Sequence, residues 1–193
     1  VRYSPAGVLA PIQRSDLAFT MHMLYHLSET GTCAIVEFPG VLYRGGAEKK
    51  IREYLIKNNF VDTVIQLPAN LFFGVGIATC IIVIKKNKKD NNILFVDASE
   101  ECEKKGDKNK LEDENQNRIV NAYQERKEEQ YFTKLVSNDE VLSNGANLSV
   151  SSYVEKEDKR EVIDIVALNE EIEALSKDVA SKSLKLNEII KEL

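Results

Sequence analysis

Four short segments rich in apolar and β-branched residues, at 33–36, 61–67, 79–85 and 93–96, constrain this chain more than any other feature. Runs of this length, bounded by turn residues, are too short for core helices and read as strands. Segments with helical spacing stand between them. Ser15-Asp16 offers an N-cap before Leu17, Phe19, Met21, Leu24 and Leu27, and Gly31 stops that helix. Gly45-Gly46 opens a second helix through Lys57, with Ile51, Tyr54 and Leu55 inward. The run 33–36 is continuous and ends at Pro39-Gly40, so it is expected to be buried on both faces of a parallel sheet. Asp90-Asn91-Asn92 turns the chain between the last two runs, which predicts that they pair as a hairpin. The order α-β-α-β-loop-β-β thus predicts an α/β fold, with parallel strands ending in an antiparallel hairpin.

Beyond residue 98 the pattern changes. Residues 99–117 form a charge-rich, glycine-broken linker, followed by a predicted helix over 112–129 and an irregular stretch ending at 149–154. The last segment is helical, with Ile165, Leu168, Ile172, Leu175, Val179, Leu186, Ile189 and Leu193 at alternating three- and four-residue spacing, interrupted by Lys182. A strict stripe of this kind is the seam of a coiled coil, narrower than the face a helix turns to its own domain, although that second arrangement stays open. The expected organisation is an α/β portion at 1–98, a linker and helical extension at 99–160, and a long coiled-coil-like helix at 161–193.

With 43% hydrophobic and 30% charged residues, composition argues against low-complexity and disordered classes. The longest apolar run, Cys80 through Ile84, is far short of the roughly 20 residues that span a bilayer, so no membrane partner is expected. Cys33, Cys80 and Cys102 make neither an even framework nor a C-x-x-C pair, which fits a reducing, cytoplasmic setting. Residues 1–98 carry a balance of +3 and residues 99–193 one of -8, so only the first part suits an anion. The chain starts at Val1, without an initiator methionine, and is expected to be a fragment.

Few residues carry a chemical signature. His22 and His26 are four apart, but Met23 breaks the zinc-binding H-E-x-x-H pattern, so they read as polar tips on an amphipathic helix and no metal is expected. P-loop and G-x-S-x-G patterns are absent, and Gly74-Val75-Gly76 lacks the third glycine of a dinucleotide fingerprint. Leu71-Phe72-Phe73-Gly74 follows a strand, where α/β proteins place ligands; packing the loop down is the alternative use of those aromatics. Arg44, Lys49, Lys50 and Arg52, and a second cluster of Lys85, Lys86, Lys88 and Lys89, are candidates for phosphate contacts or for a solvated face.

A run of motifs then resembles one family. Asp16-Leu17-Ala18-Phe19 through His26, Gly31-Thr32-Cys33-Ala34-Ile35-Val36, and the stretch from Pro39-Gly40-Val41-Leu42-Tyr43-Arg44-Gly45-Gly46 to Ile51-Arg52 carry the resemblance. Leu67-Pro68-Ala69-Asn70-Leu71-Phe72-Phe73-Gly74, Ala78-Thr79-Cys80-Ile81, Leu94-Phe95-Val96-Asp97-Ala98-Ser99 and Asn147-Leu148-Ser149 before Tyr153-Val154 continue it. Together they resemble the modification (M) subunit of type I restriction-modification systems, an adenine-N6 DNA methyltransferase. The resemblance covers the later half of such a subunit. It implies the last strands of a Rossmann-like methyltransferase sheet, with residues 33–38 left as a hydrophobic sheet edge, and a tail for subunit contact.

The family's S-adenosylmethionine turn and its catalytic Asn/Asp-Pro-Pro-Tyr/Phe tetrapeptide do not occur here, since the prolines at 5, 11, 39 and 68 are never adjacent. The resemblance therefore implies S-adenosylmethionine for the complete protein, none for the fragment, and no complete catalytic set in this chain. It implies that Phe73 stacks on a flipped target adenine beside a packing Phe72, and that Phe19 helps to line the cofactor pocket. The partners it implies are DNA, the specificity subunit, which the last helix meets, and the restriction subunit; fragment self-association is a further expectation. Two other readings stay open: a non-catalytic DNA-binding adaptor that recruits a partner through its coiled coil, and a homodimer held by the last helix alone.

Overall fold

A computed structural model describes residues 2–157 and 164–192, with side chains of the last helix described through Ser183 and at Leu186, Asn187 and Ile190. Two compact units divide it, at residues 1–156 and 157–193.

The first unit opens with α1 (Asp16–His26), β1 (Thr32–Glu37), a 3-10 turn (Pro39–Leu42), α2 (Ala47–Lys57), β2 (Val61–Gln66), β3 (Cys80–Lys85) and β4 (Asn92–Asp97). A small hairpin follows, β5 (Glu103–Lys105) and β6 (Lys108–Lys110), and then α3 (Asp113–Glu125), β7 (Thr133–Ser137) and α4 (Asn138–Ser143). The main sheet has the order β1-β3-β2-β4-β7. Strand β4 shows why its run is continuously apolar: Ile93 and Phe95 enter one core with α1, α2 and α4, while Leu94 and Val96 enter a second core with Ile119 of α3 and Phe132. Alternate side chains point to opposite faces, and both faces are covered.

The α/β class with a C-terminal helix holds, but the pairing differs from expectation in three ways. The expected hairpin of β3 and β4 does not form: β2 lies between them, antiparallel to β3 and parallel to β4. The connection 86–91 steps over the start of β2, where Lys88 Nζ donates to the Val61 carbonyl at 2.9 Å and Asn59 Nδ2 to that of Asp90 at 2.8 Å. Nor is β1 a doubly buried parallel strand. It is an edge strand, antiparallel to β3, with one face open; Val36 is 49% exposed. Third, β7 closes the other edge against β4, a strand the sequence hides because only Leu135-Val136 is apolar there.

One buried tie joins the motif residues. Arg52 is 1% exposed, donating through Nε to Ala146 O at 2.8 Å and through Nη1 to Val41 O at 2.9 Å. Beside it, Leu148 N donates to Leu42 O at 2.9 Å, and Tyr153, stacked on Phe95 at 4.3 Å, donates its hydroxyl to Asn147 O at 2.6 Å. Asn147-Leu148-Ser149 and Tyr153-Val154 are thus fasteners that hold residues 146–154 on the sheet. Arg52 belongs to this tie and is withdrawn from any phosphate, a correction to its reading as a surface cation. Lys88, with its ammonium on Val61 O and its pKa lowered by burial to about 8, is likewise structural.

The second unit contains α5 (Ile165–Glu192), capped by Asp164, whose Oδ1 accepts from Val166 N at 2.9 Å and Ala167 N at 3.2 Å. The described seam residues Ile165, Leu168, Ile172, Leu175, Val179 and Leu186 are 45 to 69% exposed. Ile189, by its side chain, and Leu193 lie outside the described residues. No described helix is long and apolar enough to cross a membrane.

Candidate functional site

The C-terminal ends of β1, β2 and β4 lie at one end of the sheet, since Glu37 and Gln66 both pair with Cys80, and Gln66 with Asp97. The connection between Gln66 and Cys80 rises from this end. Its base is closed by Leu67 N donating to Thr79 O at 2.9 Å, with Gln66 Nε2 donating to the same carbonyl at 3.0 Å. Leu67 and Leu71 anchor it in the second core. A tight turn then forms, with Val75 N donating to Phe72 O at 3.2 Å. Gly74, third in that turn, has φ +73, which a side chain would strain. Phe73 sits at the turn's corner and is 99% exposed; Phe72 is 40% exposed. Leu71, not Phe72, is therefore the residue that packs the loop down.

The hairpin β5–β6, expected only as linker, holds this loop. Asn109 N donates to Asn70 O at 3.1 Å, Asn109 Nδ2 to Ala69 O at 2.8 Å, and Lys108 Nζ to Phe72 O at 3.3 Å. Sequence reasoning missed Asn109, and the Lys-Gly-Asp-Lys turn at 105–108 was the signal that could have found its hairpin.

The other singled-out residues fall into separate places. Phe19 stands on the outer face of α1, 62% exposed. Arg44 folds back over the 3-10 turn, where a Cβ on Gly40 would collide with its guanidinium, and pairs with buried Glu48 at 3.2 Å. Lys49, 4.0 Å from Glu53, and exposed Lys50 lie in the first turn of α2, which follows the C-terminal end of β1. Lys85 and Lys86 lie at the opposite end of the sheet, with Lys85 opposite Thr32 in the register. Lys85 pairs with buried Asp62 at 3.2 Å, which also holds Arg126 of the α3 C-cap at 3.2 Å, and Lys86 pairs with Glu29 at 3.5 Å. The structure thus does not gather the two basic clusters around Phe73.

At the loop's end of the sheet, Glu37 is a buried carboxyl that sequence reasoning passed over, although it is the one acid interrupting the apolar stretch 33–38. It accepts from Thr20 Oγ1 at 3.1 Å; burial pushes its pKa up to about 7, with the Asp16 charge adding in the same direction. Arg2 occupies the histidine pair, its Nε donating to His22 Nδ1 at 2.7 Å and its Nη2 lying 2.7 Å from His26 Nε2. Among the described residues, no group of three or more His, Cys, Asp or Glu is arranged to hold a metal ion.

Residues 1–162 match the family model described as N-6 DNA Methylase. The whole chain is 43% identical to the type I restriction enzyme MpnII methylase subunit of Mycoplasma pneumoniae, covering 36% of that protein. Over 89% of its length it is 34% identical to the MjaVII methylase subunit of Methanocaldococcus jannaschii, covering 30% of it. The chain thus spans about a third of the length of the curated relatives it matches. A solved type I restriction-modification methyltransferase subunit from Streptococcus thermophilus is similar at a TM-score of 0.78 and 42% identity, over 80% of this chain and 33% of that one. The EcoKI M protein, 19% identical, shares the fold over 90% of this chain and 45% of that one, with a TM-score of 0.65.

Proposed function

Because the chain belongs to the N-6 DNA methylase family, we propose that it forms the later portion of the methylating subunit of a type I restriction-modification system. That subunit transfers a methyl group from S-adenosylmethionine to adenine N6 in DNA. The observation that carries the reading is Phe73, a 99% exposed aromatic fixed at the corner of a braced loop. A side chain so placed gains nothing for the fold, and its free ring face suits a base taken out of the duplex. Extraction costs a few kcal/mol, and an aromatic platform returns roughly 1 to 3 kcal/mol. Lys49, Lys50 and Arg44 belong to the same end of the sheet and are the nearer candidates for phosphates flanking the site. Lys85 and Lys86, engaged at the far end, would reach only a different stretch of duplex.

S-adenosylmethionine supplies the methyl group in this reading, but the residues present do not make its site. The sequence holds neither the glycine turn nor the amine-holding tetrapeptide. Phe19, the single residue assigned to the cofactor, stands 62% exposed on α1 and supplies at most one wall. The open edge of β1, with Val36 and Phe38 beside it, is a place for a strand of the complete protein or, in the isolated chain, a second copy.

Two measurements test the proposal together. The complete subunit, assembled with its specificity partner, is expected to transfer labelled methyl to adenine N6, whereas calorimetry of the isolated 193-residue chain is expected to give no S-adenosylmethionine binding. Micromolar binding by the isolated chain, or no adenine methylation by the assembly, would overturn it.

A further inference from the structure

We propose that Asn109 is a positioning residue for Phe73, and that the hairpin β5–β6 is a clamp that sets the height and direction of the loop's aromatic corner; this rests on the reading of Phe73 as the base-stacking side chain. Residues 67–79 are closed at their base and anchored at Leu71, but nothing in the sheet holds the backbone between. Asn109 does so twice, through its backbone N–H on Asn70 O and its side-chain amide on Ala69 O. Both acceptors flank the one non-glycine residue of that stretch with a left-handed backbone, Asn70 at φ +54. A non-glycine residue adopts that conformation at a cost, so an external bond is needed to hold it. Lys108 adds a third bond, to Phe72 O, immediately before Phe73.

The clamp is itself fixed. Lys105 and Lys110 both pair with Glu112, the N-cap of α3, whose side chain takes part in a capping box with Asn115. Leu111 enters the same core as Leu71. From α3, Glu112 thus fixes the hairpin, and Asn109 and Lys108 of the hairpin hold residues 69, 70 and 72, the backbone that leads into the turn presenting Phe73. An asparagine suits the position because one short residue supplies a backbone N–H and a second, side-chain donor beside it.

The test uses the complete subunit assembled with its specificity partner. The probe is a duplex carrying its methylated site, located from N6-methyladenine in genomic DNA, with 2-aminopurine at the methylated position. Asn109→Ala is expected to lower the flipping fluorescence on this probe, and kcat/KM on the same duplex with adenine in place of 2-aminopurine, about fivefold, the worth of one hydrogen bond, with melting temperature and S-adenosylmethionine affinity unchanged. Asn109→Asp, nearly the same shape but without the donor, is expected to lose as much, and Asn109→Gln to recover part. In a Phe73→Ala background, Asn109→Ala is expected to add nothing, which a merely structural residue would not obey. Wild-type flipping in both Asn109→Ala and Asn109→Asp overturns the clamp alone, provided Phe73→Ala is impaired. Losses that follow the melting temperature and extend to cofactor affinity also overturn it. Wild-type flipping in Phe73→Ala overturns the stacking reading and the clamp with it.

Discussion

Replacing Leu175 by glutamate is expected to abolish assembly of the complete subunit with its specificity partner while the α/β unit keeps its own unfolding transition. Six described seam residues of α5 are 45 to 69% exposed, on a helix that belongs to a compact unit separate from residues 1–156. Each aliphatic side chain is worth roughly 1.5 to 3 kcal/mol when fully buried, so the seam as a whole represents more than a typical domain's net stability. A carboxylate at its middle would have to be desolvated against an apolar partner. Lys182, the polar break in the seam, pairs with Asp178 of its own helix at 2.6 Å. Its charge is thereby answered within α5 and does not by itself bar self-pairing, so the choice of a different helix as partner rests on the proposed function. Co-purification of the Leu175→Glu subunit with its partner at undiminished yield would contradict the proposal.

Arg52→Ala is the second large effect, and it falls on folding. Burial lowers the guanidinium's pKa to about 10, so it stays charged at neutral pH, with Glu48 favouring the charged form. Its removal leaves the carbonyls of Val41 and Ala146 without the donors they have. Hydrogen bonds from a charged group are each worth about 1.5 to 3 kcal/mol, so the loss is roughly 3 to 6 kcal/mol. That approaches the whole stability of many domains. Arg52→Lys is expected to recover less than half, because a single ammonium cannot match the planar fork that reaches both carbonyls. Urea unfolding would check this; a free energy within about 1 kcal/mol of wild type for Arg52→Ala would contradict the tie.

The contrast between Arg52 and Phe73 shows what was legible in the sequence. The runs that became β3 and β4 were visible because burial on both faces demands apolar side chains, β1 and β2 as short apolar-rich segments although β1 has one face open and Asp62 and Thr63 interrupt β2, and the helices at 16–26 and 47–57 because Ser15-Asp16 and Gly45-Gly46 mark their starts. Strand order was not visible. A six-residue turn with Asp90-Asn91-Asn92 looks the same whether it joins neighbouring strands or steps across β2, and only Lys88 filling the space under the crossing tells them apart. Arg52 looked like one more cation of a basic cluster, because its partners are carbonyls that no side-chain pattern announces. The hairpin around Asn109 was hidden by charge: its strands are three residues each, and their bonds go to a loop, not to the core. The exposed corner at Phe73 was legible as a candidate from Phe72-Phe73-Gly74, because a glycine after paired aromatics signals a turn that cannot bury both.

Base capture by Phe73→Ala tests the account most directly. In the complete subunit with its specificity partner, on a duplex with 2-aminopurine at the methylated position, the account predicts a weakened flipping signal. On the same duplex with adenine at that position it also predicts a fall in kcat/KM of roughly 5- to 150-fold, the range set by one stacked base, with S-adenosylmethionine affinity unchanged. Normal flipping and normal turnover in that variant would contradict it.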